Sequence, residues 1–125
     1  MPVDNFSGTL GENYAAGFLQ RKGFHILRRN FHSRFGEIDI IAEDGKHILF
    51  VEVKTRCEKS MVDPFEAVTR SKQRKIIKTA MCYLQKSDCR LQPRFDVIGI
   101  ITDNRGGKVL SVKYLENAFD CGGFC

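Results

Sequence analysis

The sequence has little of what a membrane, secreted or disulfide-stapled protein needs. No apolar run approaches the ~20 residues that span a bilayer; the stretch from Ile38 to Ala42 is already broken by Asp39. The opening Met-Pro-Val-Asp has neither a charged nor an apolar leader region, so no secretory signal is expected, and the predicted location is cytoplasmic. Five cysteines, Cys57, Cys82, Cys89, Cys121 and Cys125, form an odd count at irregular spacing, which predicts reduced thiols instead of a disulfide framework. Cys121 and Cys125 joined with His25 and His32 match no usual zinc spacing. Repeats, low-complexity segments and linkers are missing too.

What remains is the material of one small globular domain. The chain has 125 residues, 42% of them hydrophobic, with 10 Phe, enough to bury a core unaided. A single domain is expected over 1–125, its core at about 8–115 and a tail from 116, with 120–125 frayed. The net charge is +5, and acids are missing from two long stretches: five Lys or Arg lie between Glu12 and Glu37, and six between Glu66 and Asp88, together 11 of the 20 basic residues. Such blocks are either solvated faces or an electrostatic footprint for a polyanion such as nucleic acid.

Periodicity divides the chain into seven elements. Leu10, Tyr14, Phe18 and Leu19 recur at helical spacing, with Thr9 and Glu12 as a capping box and Gly23 as a stop, predicting a helix over 9–22. Strands are expected at 24–31, 36–43 and 46–55, with Asp44-Gly45 as a two-residue hairpin turn. Asp63-Pro64 opens a helical region, Ser71 offers a second cap, and Ile76, Ile77, Ala80, Met81 and Leu84 mark a buried stripe up to Lys86. The apolar run 95–101 reads as a strand buried on both faces, and 104–107 turns it into a last strand at 108–114. The order is αβββαββ.

The chemistry lies in the second hairpin. With Asp44-Gly45 as its turn, paired residue numbers sum to 89, so Glu37 opposes Glu52, Asp39 opposes Phe50, and the diagonal from Asp39 to Glu52 is about 7 to 8 Å. Lys54 shares that face, while Ile38, Ile40, Val51 and Val53 take the other. Three carboxylates on one surface repel one another. A divalent cation such as Mg²⁺, held by a few carboxylates and its own waters, would neutralise them and suit attack of water on a phosphodiester. An ion-pair ladder of Lys54, Arg56 and the acids is the structural alternative.

Asp39, followed thirteen residues later by Glu52-Val53-Lys54, resembles the Asp, then Glu-x-Lys signature of the PD-(D/E)XK nuclease superfamily. More of the chain is similar to the bacterial YraN family of predicted endonucleases: Gly11-Glu12, Ala15, Gly23, Arg29-Asn30, Gly36-Glu37-Ile38-Asp39, Phe50 to Arg56, Lys72-Gln73 and Arg94-Phe95-Asp96-Val97. That family is likened to archaeal Holliday junction resolvases and RecB-type nucleases. The resemblance implies an α/β restriction-endonuclease-like core, a mixed sheet flanked by helices, dependence on Mg²⁺ or Mn²⁺, and a nucleic-acid substrate. It further implies Asp39 and Glu52 as metal ligands, Lys54 as the catalytic lysine and Glu12 as an acid supplied by the first helix. Glu37 is a candidate third ligand or a loop-orienting residue. RecB-like nucleases often follow the glutamine found here as Gln73 with a tyrosine four residues on, but this chain has Ile77.

The expected function is metal-dependent hydrolysis of phosphodiester bonds in DNA, including structured or branched DNA, with Arg28, Arg29, Arg34, Arg56, Lys72, Gln73, Arg74 and Lys75 meeting the nucleic acid. The helix N-terminus near Lys72 favours phosphate as well. Asp96 is expected to be structural. The alternatives are a non-catalytic nucleic-acid-binding module and an assembly factor on the same fold. A homodimer stays open, and no membrane partner is expected.

Overall fold

Seven elements follow in the expected order: α1 (Phe6–Arg21), β1 (His25–Ser33), β2 (Gly36–Glu43), β3 (His47–Cys57), α2 (Arg70–Ser87), β4 (Gln92–Thr102) and β5 (Val109–Phe119). They belong to residues 6–60, 63 and 68–120, which the computed structural model describes. The strands form one mixed sheet in the order β1-β2-β3-β4-β5. Neighbours run antiparallel except β3 and β4, which are parallel. A parallel pair cannot be closed by a tight turn, and α2 supplies the crossover. The architecture is α/β and consistent with a restriction-endonuclease-like fold.

Helices cover both faces, so the central strands are apolar on both sides. Ile48 to Glu52 of β3 and Phe95 to Ile100 of β4 are continuously buried. On one face Ala15, Ala16 and Leu19 of α1 pack with Ile40, Ala42, Leu49, Val51, Ile98 and Ile100. On the other, Ile76, Ile77 and Ala80 of α2 pack with Phe31, Ile38, Phe50 and Phe95. Near the middle of β4, Asp96 is fully buried and accepts hydrogen bonds from Arg94 at 3.1 and 2.9 Å, from the Asn117 N–H at 2.8 Å and from the Tyr114 hydroxyl. This network ties the edge strand β5 to β4 across a shift of register, the structural role expected for Asp96.

Several local expectations need correction. Helix α1 begins at Phe6, so Thr9 and Glu12 lie inside it and form no capping box. Leu19 is buried as expected, but Tyr14 is 38% exposed while Ala15 and Ala16 are buried beside Leu19, because alanines let the helix axis approach the sheet. Helix α2 starts at Arg70 with Thr69, not Ser71, as its cap, the Thr69 side chain accepting from the Lys72 N–H at 3.2 Å. Asp63 is outside that helix, and Pro64 lies outside the described residues.

The hairpin register also differs. Glu43 pairs with Ile48 and Ile40 with Val51, a sum of 91 instead of 89. The Asp44 carboxylate accepts the N–H groups of Lys46 and His47 at 2.9 and 2.7 Å, and the Asp44 N–H reaches the His47 carbonyl at 3.2 Å. Those bonds close a wider turn over 44–47. A displacement of two residues leaves the faces of the paired residues unchanged and puts Asp39 and Glu52 at matching positions just beyond the last pair, Ile40 with Val51. Ile38 joins the α2 cluster and not the face of Ile40. Beside it Asn30 of β1 takes a left-handed φ of 55°, which interrupts the alternation between Arg29 and Phe31.

Gly11 marks a close approach of α1 to β3: a Cβ there would collide with Thr55 Oγ1 and stand 3.4 Å from Thr55 Cβ. Gly11→Ala would gain helix propensity of about 1 kcal/mol but must displace the helix from the strand, a cost of about 1–3 kcal/mol or more. We expect it to lower the melting temperature in the native background and to raise it in the Thr55→Ala background. Equal effects in both would mean that the two residues do not meet.

Candidate functional site

The site is built where β2 and β3 part. Their ladder ends at Ile40 and Val51, and the next β3 amide, Val53 N–H, donates instead to Asp39 Oδ2 at 2.7 Å. A side-chain carboxylate thus satisfies a backbone donor that the diverging strand leaves behind. Asp39 is 9% exposed and Glu52 4%. Around Glu52 Oε2 stand two ammonium groups, Lys72 Nζ at 3.0 Å and Lys54 Nζ at 3.7 Å. That oxygen is buried and, despite both charges, accepts no hydrogen bond of good geometry among the described residues.

Two adjacent buried carboxylates cannot both ionise cheaply. Burial first, then the hydrogen bond and charge of Glu52, push Asp39 up to about 9. For Glu52 burial works in the same direction, but the hydrogen bond from Asp39 and the charges of Lys72 and Lys54 outweigh it and hold the carboxyl below its usual range. The pair therefore favours holding a shared proton, with Asp39 shifted toward its protonated form. Burial first, then the neighbouring Lys72 ammonium, pull Lys54 below the ordinary lysine value, against the charge of Glu52. Burial also opposes the charge of Lys72, yet the carboxylates of Glu52 and Asp39 beside it carry its pKa upward. Glu12, on α1, is raised by burial against the pull of Arg29, whose Nη2 is 4.0 Å from Glu12 Oε1, and it feels the charges of Glu37 and Glu52.

Asp39, Glu52, Lys54 and Lys72 are thus brought together, with Glu12 facing them from α1. Glu37 is turned elsewhere: its side chain is 57% exposed and its carboxylate is 3.4 Å from His32 Nδ1 across the β1–β2 ladder. The basic residues divide. Arg28, Arg34, Arg74 and Lys75 are exposed, Arg28 lying over the Phe31 ring and Arg34 over Phe35. Arg29 turns to Glu12 and Lys72 to Glu52. Gln73 Nε2 donates to the Val68 carbonyl at 3.2 Å, anchoring the start of α2, and Arg56 Nη1 to the Thr55 carbonyl at 2.9 Å.

Lys72 as a neighbour of Glu52 is absent from a reading of strands alone. Its signal was the cap at Thr69, which starts the helix and sets Lys72 in its first turn. Among the described residues no group of three or more His, Cys, Asp or Glu side chains is placed to hold a metal ion. Asp39 and Glu52 are nevertheless two oxygen donors, which is what a Mg²⁺ site that keeps its waters asks of a protein, and the undersatisfied Glu52 Oε2 is an available ligand atom.

A mixed α/β sheet carrying an Asp on one strand and a Glu-x-Lys on the next, with their charges gathered where the strands separate, defines a protein of the PD-(D/E)XK-like class. Residues 11–100 match the family described as the uncharacterised protein family UPF0102. The chain is similar to a UPF0102 protein of Persephonella marina, 46% identical over 114 residues, covering 90% of this chain and 92% of the relative. It is 45% identical over 118 residues to one of Syntrophotalea carbinolica, covering 94% of each, and 43% identical over 113 residues to one of Dictyoglomus thermophilum, covering 90% and 95%. The chain belongs to the UPF0102 family, the YraN group. Among the described residues no helix is long and apolar enough to cross a membrane.

The retained proton has a consequence for stability. Between the ordinary Asp value of 3.8 and about 9 the folded state holds one proton more at Asp39 than the unfolded chain, so this group's contribution falls as pH rises through that window. Glu52, shifted the other way, has completed its change below the ordinary value of 4.5. In EDTA, Asp39→Asn, which keeps an acceptor for Val53 N–H, is expected to flatten the decline of melting temperature above pH 5 and to melt higher than the native protein at pH 8. A parallel curve displaced downward would show that Asp39 is ionised in the fold.

Proposed function

We propose that the chain is a metal-dependent endonuclease that hydrolyses phosphodiester bonds in DNA, structured or branched DNA included. The observation that carries this reading is the buried Asp39–Glu52 pair with Lys54 beside it, an arrangement costly to fold and suited to a cation. Asp39 and Glu52 would hold Mg²⁺ or Mn²⁺. When bound, such an ion polarises a phosphoryl oxygen and makes water a better nucleophile at neutral pH.

The chain's own groups would do the rest. Lys54 Nζ, next to Glu52, donates to the attacking water and to the charge that grows on the phosphoryl oxygens. Its depressed pKa also brings it closer to exchanging a proton near neutrality. Lys72 balances the charge of Glu52 while the site is free of metal. Glu12, protonated at higher pH than an ordinary glutamate, borders the same cleft as Lys54 and is the candidate acid from the first helix. The exposed Arg28, Arg34, Arg74 and Lys75 would meet the phosphate backbone. Free Cys57, Cys82 and Cys89 support a reducing, cytoplasmic setting.

A panel of duplexes, single strands, flaps and junctions, incubated with Mg²⁺ or Mn²⁺, tests the activity. Cleavage of at least one substrate is expected, lost in EDTA and reduced by roughly 10²-fold or more in Lys54→Ala, the scale of a removed transition-state donor. Millimolar Mg²⁺ should raise the melting temperature of the native protein, by the amount that ligand binding to the folded state alone requires, and leave Asp39→Asn unmoved. Salt-sensitive DNA binding with neither cleavage nor a Mg²⁺ effect would instead identify a binding module.

Affinity for DNA should fall steeply with salt. Replacing Arg28 and Arg74 together by glutamine is expected to flatten the log–log salt slope by roughly 0.9 for each phosphate that is no longer neutralised. An unchanged slope would assign both residues to solvated faces.

A further inference from the structure

Because β3 and β4 are parallel, their carboxyl ends emerge side by side: Arg56 pairs with Ile101 and Cys57 with Thr102. The crevice beyond the carboxyl ends of parallel strands is the usual place for a ligand in an open α/β sheet. Here it is an open cleft of about 400 Å³ whose lining includes Glu12, Lys54, Arg56, Asn104, Arg105 and Gly106. Its lining carries three cations and one carboxylate, and that carboxylate is already opposed by Arg29.

The turn between β4 and β5 is held rigid by its own acid. Asp103 N–H donates to the Lys108 carbonyl at 2.9 Å, Gly106 N–H to the Asp103 carbonyl at 3.0 Å, and Gly107 N–H to Asp103 Oδ1 at 3.0 Å, with Gly106 at a φ of 73°. The Asp103 carboxylate is thereby occupied within the turn, and the residues presented to the cleft are Asn104 and Arg105. Arg105 is exposed and, among the described residues, in no ion pair. Arg56 is steadied from below by its bond to the Thr55 carbonyl.

We propose that this cleft is a phosphate subsite, in which Arg105 and Asn104 of the β4–β5 turn, with Arg56 of β3, hold a backbone phosphate flanking the one addressed by Asp39, Glu52 and Lys54. A guanidinium fork matches phosphate oxygens in pairs, and a fixed turn presents it with little loss of freedom on binding. Its place in catalysis rests on the nuclease reading; its capacity for anions does not.

The two are separated by experiment. ¹⁵N-labelled protein in EDTA is titrated with a 5′-phosphorylated thymidine dinucleotide and, separately, with inorganic phosphate. The dinucleotide should shift the amides of Asn104, Arg105 and Gly106 and saturate, with affinity at least tenfold weaker in Arg105→Gln and unchanged in Lys113→Gln, an exposed control on β5. A response to inorganic phosphate at the same amides would place a terminal phosphate in the site, and a response to the dinucleotide alone would place the diester there; either supports the subsite. Shifts that avoid the turn, or equal affinities for Arg105→Gln and Lys113→Gln, would overturn it. If the dinucleotide binds at the turn but no DNA in the cleavage panel is cut, the nuclease reading fails and the anion site stands. If DNA is cut with the same KM and kcat in Arg105→Gln, the subsite fails and the nuclease reading stands.

Discussion

The separation of β2 from β3 beyond Ile40 and Val51 is the constraint on which the site depends. Were the ladder to continue, Val53 N–H would bond to a backbone carbonyl and Asp39 would be one more sheet residue beside a like charge. Instead the strands part, the Asp39 carboxylate takes the amide at 2.7 Å, and the opening admits Lys72 from α2 while Glu12 approaches from α1. Two buried carboxylates then face each other across the gap. One proton and two ammonium groups are what the fold itself supplies to make that arrangement tolerable.

The remainder of the molecule can be read as support for this opening. Small residues on α1, Gly11, Ala15 and Ala16, allow the helix to lie close against β3, which fixes Glu12 relative to the carboxylate pair. Thr69 caps α2 and sets Lys72 at its first turn. One strand over, on β4 beside Val51, the buried Asp96, saturated by Arg94, Tyr114 and Asn117, is a carboxylate of the opposite kind: its bonds are complete, and it serves to fasten β5. The contrast separates the two buried acids by function. Asp96 has no bond left to make, whereas Glu52 carries a buried oxygen that two cations approach without satisfying.

The parallel pairing of β3 with β4 extends the site in a direction the motif does not indicate. It draws the β4–β5 turn alongside Arg56 and so joins residues about fifty positions apart into one cleft. Electrostatically the cleft is a continuation of the carboxylate site with the sign reversed, acids where a cation would sit and arginines where phosphate oxygens would follow.

The order of elements, the apolar faces of α2 and β4 and the nearness of Asp39 to Glu52 were legible in the sequence, because periodicity of burial and alternation along a strand are local properties. The strand alternation even survived an error of register: the turn over 44–47 moved the pairing by two residues, and a shift of two preserves faces. Only the tertiary structure decided where α1 begins, that Ile38 belongs to the α2 side, that Glu37 turns to His32 and that Lys72 meets Glu52. These depend on which element lies against which, and on a left-handed Asn30 and an Asp44-closed turn whose bonds compete with the simple hairpin. Charge on a side chain can be counted from sequence; which opposite charge it meets, and whether water screens the pair, is fixed only when the helices dock on the sheet.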